Sequence, residues 1–199
     1  VFGPDGTYDP IMPYFGANFW EDWERPVHFS FHENATDNFA EFNAGIKIFG
    51  GWSRGQNDQR SLSLFARGQY GDSKFKHAFF NQLTYDKFQA LVLRNSGQDW
   101  MRSSMKDIML TSLMRGSGLD FQEHNPVATY INSEYWGMYN LREKINEHML
   151  ASKHNIDAED ITLLTNNAEE IEGSNEEYNQ LINYISATDL SIDSNFEYI

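Results

Sequence analysis

The chain contains no cysteine. Disulfides, thiolate zinc sites and cysteine nucleophiles are therefore excluded, although the absence does not identify a compartment. No apolar run approaches the ~20 residues a helix needs to span a membrane. Positive charge is scarce: 15 Lys and Arg stand against 29 Asp and Glu, a formal net charge of -14. A field of that sign repels phosphate backbones and argues against general nucleic-acid binding. It confers solubility, or favours a basic protein partner. The histidines show no His-Glu-x-x-His or similar ligand spacing, and there is no Gly-x-Ser-x-Gly elbow. Asp5-Gly6 and Asp193-Ser194-Asn195 begin calcium-loop patterns but do not complete them. Asn34-Ala35-Thr36 is a glycosylation sequon, meaningful only in a eukaryotic secretory setting.

What the chain does have is a core. Hydrophobic residues make up 40% and aromatic residues 15% of 199 positions, which fits one domain, or one plus part of another. Residues 1–25 are turn-rich and aromatic, and their Pro and Gly argue against a long helix. Val27, Phe29 and Phe31 alternate, which predicts a strand over Pro26–His32. Gly45–Phe49 and Arg60–Phe65 also alternate, with Ile46, Ile48, Leu62 and Leu64 on one side. Between those strands lies Gly50-Gly51-Trp52-Ser53-Arg54-Gly55. Glycines let backbone N–H groups approach an anion, and Ser and Arg add donors, so the segment suits a loop over phosphates. A plain glycine-rich turn is the alternative.

Residues 67–86 read as an aromatic, basic loop, and Phe88–Leu93 as a short buried strand. Met101, Met105, Ile108, Met109 and Leu113 follow one helical face, which predicts a helix over Asp99–Met114. Pro126–Asn132 and Glu134–Leu141 form a hairpin around Asn132-Ser133. Glu143–His154 is predicted helical, Ile161–Leu164 a short strand, and the acidic run Glu169–Glu177 a solvated loop. Ser174 and Glu177 form a capping box for a last helix. The pattern alone specifies an α+β fold.

Four blocks, in order, resemble the CotH-type atypical kinases first named from spore-coat proteins. They are the loop Gly45–Arg54 with Arg60-Ser61-Leu62; Arg67 with Tyr70-Gly71; Leu91–Trp100; and Tyr130–Lys144. The family usually has Asn-Gly where this chain has Asn132-Ser133. The resemblance implies a kinase-like small lobe with an antiparallel sheet over residues 1–145, then the start of a helical second part over 146–199. It implies ATP as cofactor with Mg²⁺ or Mn²⁺, a protein Ser or Thr as substrate, and a secreted or cell-surface location. The chain begins at Val1 without Met and ends at Ile199 in a helix-start pattern, so it reads as a piece of a longer protein. On the family pattern the catalytic and metal-binding aspartates would follow Ile199, so these residues alone are not expected to transfer phosphate.

The resemblance also nominates a nucleotide site: Gly50, Gly51, Ser53 and Arg54 over the phosphates, and Arg60 where the family usually has Lys. Arg60 either contacts phosphate or is a solvated strand residue. Lys47 is a second cation, more simply the polar face of its strand. Asp107 is the candidate carboxylate to orient Arg60, or a solvated mid-helix acid. Arg94 serves the site or, as the better reading, ties down its loop. Glu143, where a kinase hinge would fall, either bonds nucleotide or is an exposed helix-start acid. A non-enzymatic reading competes: a surface-assembly or glycan-binding module using Phe15, Phe19, Trp20, Trp23, Trp52 and Tyr70 as stacking faces.

Overall fold

The computed structural model describes residues 6–33 and 39–198, so the sequon at 34–36 lies outside the described residues. The chain divides into two compact units, Val1–Lys144 and Ile145–Ile199. It is mixed α+β, and the first unit is built on a six-stranded antiparallel sheet.

In chain order the first unit contains β1 (Arg25–His32), β2 (Phe39–Phe49), a helical turn α1 (Ser53–Gln56) and β3 (Ser61–Phe65). There follow β4 (Phe75–Lys76), β5 (Lys87–Phe88), β6 (Ala90–Arg94), α2 (Lys106–Ser112), β7 (His124–Ile131) and β8 (Glu134–Glu143). The sheet order is β1-β2-β3-β6-β8-β7, and β4 pairs with β5 in a separate two-stranded sheet.

Strand register assigns each side chain to a face. Ile48, Leu62, Leu93 and Leu141 align across four strands, and so do Ile46, Leu64, Leu91 and Glu143. This face carries the core, where Phe75, Phe79, Phe80 and Phe88 pack on Leu64, Leu91 and Leu141. The segment 67–86 is thus more than the aromatic loop of expectation. It has almost no regular structure, yet its phenylalanines cover the sheet. The Phe79 ring meets those of Phe29, Phe31, Phe42 and Phe88 at 5.1–6.2 Å. Each such side chain contributes about 1.5–3 kcal/mol on burial. The opposite face carries a different row: Lys47, Ser63, Val92, Arg142 and His124.

The predicted helix over Asp99–Met114 is shorter than its apolar pattern. Residues 97–99 form a 3₁₀ turn, and only Lys106–Ser112 is α-helical. Met101 (φ 62) and Ser104 (φ 53) are left-handed and interrupt it. Asp99 does cap a helix, but seven residues later: its carboxylate accepts from the N–H groups of Met105 and Lys106, each at 3.0 Å. Met101, Met105, Met109 and Leu113 are exposed, and Ile108 is the buried residue of α2.

The hairpin forms as expected, with Asn132 (φ 51) and Ser133 (φ 69) both left-handed between Ile131 and Glu134. The second unit contains α3 (Glu147–His154), β9 (Leu163–Thr165), β10 (Glu169–Glu172), α4 (Glu176–Ala187) and α5 (Asp193–Phe196). Asn146 caps α3 by accepting from Met149 N–H at 3.0 Å, so residues expected at the start of that helix belong to β8 and its exit. The acidic run is partly strand rather than loop, since Glu169–Glu172 pairs with Leu163–Thr165. Ser174 Oγ accepts from Glu176 N–H at 3.2 Å, but Asn175 is the N-cap of α4 and has no side-chain cap bond, so the expected Ser174–Glu177 capping box is replaced by a local turn.

Candidate functional site

The glycine loop is closed and well bonded. Gly50 is left-handed (φ 108), and a Cβ there would lie 2.7 Å from Ser53 Oγ, so the turn into α1 requires glycine. Gly51 faces open space. Ser53 begins α1, and its carbonyl accepts from Asn57 N–H at 3.2 Å.

Arg54 turns back on the loop. Its Nε donates to the Gly50 carbonyl, its Nη1 approaches the Phe19 and Trp20 carbonyls, and its guanidinium lies over the Trp20 ring. Arg60 does the same from just before β3. Its Nε donates to the Arg54 carbonyl at 2.7 Å, and its guanidinium stacks on Phe19 at 4.3 Å. Tyr139 donates its hydroxyl to the Arg60 carbonyl at 2.7 Å. Burial lowers both guanidinium pKa values from their ordinary range, opposed by Asp22 for Arg54 and by Asp58 for Arg60. Both arginines thus tie the N-terminal aromatic segment to the loop. The pairing expected between Arg60 and Asp107 is not formed.

Asp107 has two other partners. Arg94 Nε donates to its Oδ2 at 2.6 Å, and Arg142 Nη1 donates to the same oxygen at 2.7 Å. Arg142 Nη2 also donates to Thr111 Oγ1 at 2.9 Å, one turn along α2. Arg94 ends β6 and Asp107 opens α2, so strand and helix meet at this carboxylate. The structural role that the sequence favoured for Arg94 is present, since its Nε ties the end of β6 to α2. The Nε is committed to Asp107, but the terminal nitrogens make no hydrogen bond among the described residues, and the side chain is 32% exposed. A guanidinium anchored through Nε presents its terminal pair as a fork for an oxyanion.

The buried surroundings are polar and incompletely satisfied. Ser63 Oγ and Arg142 Nε are buried without hydrogen-bond partners. Asn95 locks the strand end beside Arg94: it accepts from Ser61 Oγ and Gly97 N–H, each at 2.9 Å, and donates to the Gln59 carbonyl at 2.6 Å. Lys47 pairs with Asp22 and lies over Phe65.

Glu143 is neither an exposed acid nor a nucleotide donor or acceptor at the surface. Its register opposite Leu91 turns the side chain into the core, where it is 1% exposed. Tyr85 donates its phenol to Oε1, and Glu123 N–H donates to Oε2 at 2.9 Å. Burial, then the bond to Glu143, pushes the Tyr85 pKa up. Among the stacking candidates Phe19 is buried, while Phe15 and Trp52 are exposed with ring centroids 6.4 Å apart.

The structure thus joins Arg94, Asp107 and Arg142, and separately Gly50, Arg54 and Arg60. Arg142 was missed as a site residue. The available signal was its place in β8: on a strand whose alternate residues Leu141 and Glu143 are buried in the core, its side chain falls on the face of Arg94's neighbour Val92.

By class the structure is a mixed α+β protein with a glycine loop and, apart from it, an arginine–aspartate cluster joining strand to helix. The chain belongs to the family described as CotH kinase protein, whose model matches residues 46–196. A comparison with curated proteins finds no match.

Proposed function

We propose that the first unit is the small lobe of a CotH-type kinase that binds ATP for transfer of phosphate to protein Ser or Thr, and that Arg94 is its phosphate-contacting cation. The carrying observation is the Arg94–Asp107 pair at 2.6 Å. In protein kinases a Lys on the third strand pairs with an acid on the following helix and with the nucleotide phosphates. Here β2 and β3 flank the glycine loop, β6 is the next strand of the sheet, and α2 follows it. Leu91-Val92-Leu93-Arg94 ends in the cation, and Asp107 supplies the acid. Arg60, nominated for this part, precedes the loop's second strand and is spent on carbonyls.

The donor set fits a phosphate group. ATP, when bound, supplies the transferable phosphoryl group. Arg94 orients that group through its free fork, and Asp107 holds Arg94. Such positioned charge is the main form of catalysis in phosphoryl transfer. The implied Mg²⁺ or Mn²⁺ has no such support: among the described residues no group of three or more His, Asp or Glu could hold a metal ion. A secreted or cell-surface location belongs to the same proposal, on the family resemblance. No helix is long and apolar enough to cross a membrane among the described residues.

The test is calorimetric titration of Mn²⁺-ATP into the 199-residue chain, its Arg94→Ala variant and its Arg60→Ala variant, each checked for fold by circular dichroism. Arg94→Ala weakens binding by about tenfold or more, the loss of one charge-assisted contact, while Arg60→Ala retains it. The reverse pattern would return the phosphate contact to the glycine loop. No binding by the wild-type chain would favour the non-enzymatic reading, which a screen against soluble polysaccharides then addresses.

A further inference from the structure

The carboxylate of Asp107 has one cation more than a strand–helix ion pair needs. Arg94 reaches it from the edge of the site, 32% exposed, whereas Arg142 reaches it from inside, 3% exposed. Arg142 also engages Thr111, which itself donates to the Asp107 carbonyl at 2.8 Å. One guanidinium therefore grips two successive turns of α2. The rest of the helix is held weakly, since Ile108 is its buried residue and Met109 and Leu110 are exposed. A buried guanidinium cannot leave its carboxylate without stranding a charge.

We propose that Arg142 is a positioning residue: it holds α2 and Asp107 in place whether or not nucleotide is present, so that Arg94 is left free to serve phosphate. The inference rests on the kinase reading for the role of Arg94, but its claim about Arg142 concerns the chain without nucleotide. In an arrangement with a single cation, the group that binds phosphate also holds the helix. Here the two tasks fall to different arginines. The helix is then assembled by the fold itself rather than by ligand.

Hydrogen–deuterium exchange of the nucleotide-free 199-residue chain tests this. In Arg142→Met, residues 106–112 exchange about ten- to a hundredfold faster, the equivalent of one lost hydrogen bond to a charged group. Amides of β3 and β6 stay protected. Arg142→Lys restores part of the protection, because a cation still reaches Asp107. Arg94→Ala leaves α2 close to wild type. Thr111→Val removes only the second grip and speeds exchange in α2 alone, which keeps the test open if Arg142→Met fails to fold. Equal loosening of α2 by Arg94→Ala, or unchanged exchange in both Arg142→Met and Thr111→Val, overturns the proposal. Each outcome is read without ATP, so a chain that binds no nucleotide would sink the kinase reading and leave this measurement intact.

Discussion

Asp107 shows how much one carboxylate can carry. Two guanidinium groups converge on its Oδ2, and one of them is almost fully buried. Removing the carboxylate leaves the Arg142 cation unpaired in the interior. Asp107→Ala should therefore destabilise the chain by about 2–3 kcal/mol, less than the ~3–5 expected for a fully buried pair because Asp107 itself is partly exposed. Urea denaturation checks this, and a loss below about 0.5 kcal/mol would show that the cluster is no more than a surface ion pair.

His124 sits beside Arg142 in the same row. Burial, and then the Arg142 charge, hold its pKa below the ordinary imidazole range. The unfolded chain takes up a proton near pH ~6.5, while the folded chain takes it up only at lower pH. The unfolded state thus binds more protons in that window, and stability falls as pH drops below about 6.5. Comparing thermal midpoints at pH 5.5 and pH 8, wild type should lose more on acidification than His124→Asn. An equal loss in both would refute the assignment.

At the scale of elements, the glycine loop depends on a close backbone approach. A Cβ on Gly55 would lie 2.2 Å from the Pro13 carbonyl oxygen. Gly55→Ala must push the N-terminal segment away from α1, breaking the seat that Arg54 and Arg60 make on Phe19 and Trp20. A loss of about 1–3 kcal/mol is expected, of the size of overpacking, seen as a lower urea midpoint. The hairpin gives the opposite sign. Ser133 holds φ 69 without the freedom of glycine, and Ser133→Gly should stabilise by about 0.5–1 kcal/mol. A lower midpoint would mean that the serine side chain contributes more than its backbone costs.

These elements also explain what could be read from the sequence. The hairpin and the strands around the loop were legible because period-two alternation and a two-residue turn are local signals. Helix α2 was misjudged because Met101, Met105, Met109 and Leu113 have helical spacing without a buried partner. Asp99 captures the N–H groups of Met105 and Lys106 across a turn that no periodicity reports. Arg60 was nominated because the family usually has Lys there, and only the three-dimensional contacts show that Arg94 is the cation that reaches Asp107 in α2. Glu143 was mistaken for an exposed acid because its buried partner, Tyr85, lies in a segment with almost no regular structure.

At the scale of the whole molecule, charge opposes compaction. With 29 acidic and 15 basic residues the folded chain repels itself. The basic residues are also poorly placed to offset this: Arg54, Arg60, Arg94 and Arg142 are committed to the loop and to Asp107. Most ion pairs that remain are at least partly exposed, such as Lys76–Asp72 and Arg67–Glu24, and contribute little. Salt shortens the screening length from about 30 Å at 0.01 M to about 10 Å at 0.1 M. It therefore removes long-range repulsion among the excess carboxylates, while the half-buried Asp107 cluster is screened less. The thermal midpoint should rise as NaCl is taken from 10 to 300 mM at pH 7.5. A midpoint that falls instead would show that the exposed pairs outweigh the excess charge, and that the net charge has no part in setting stability.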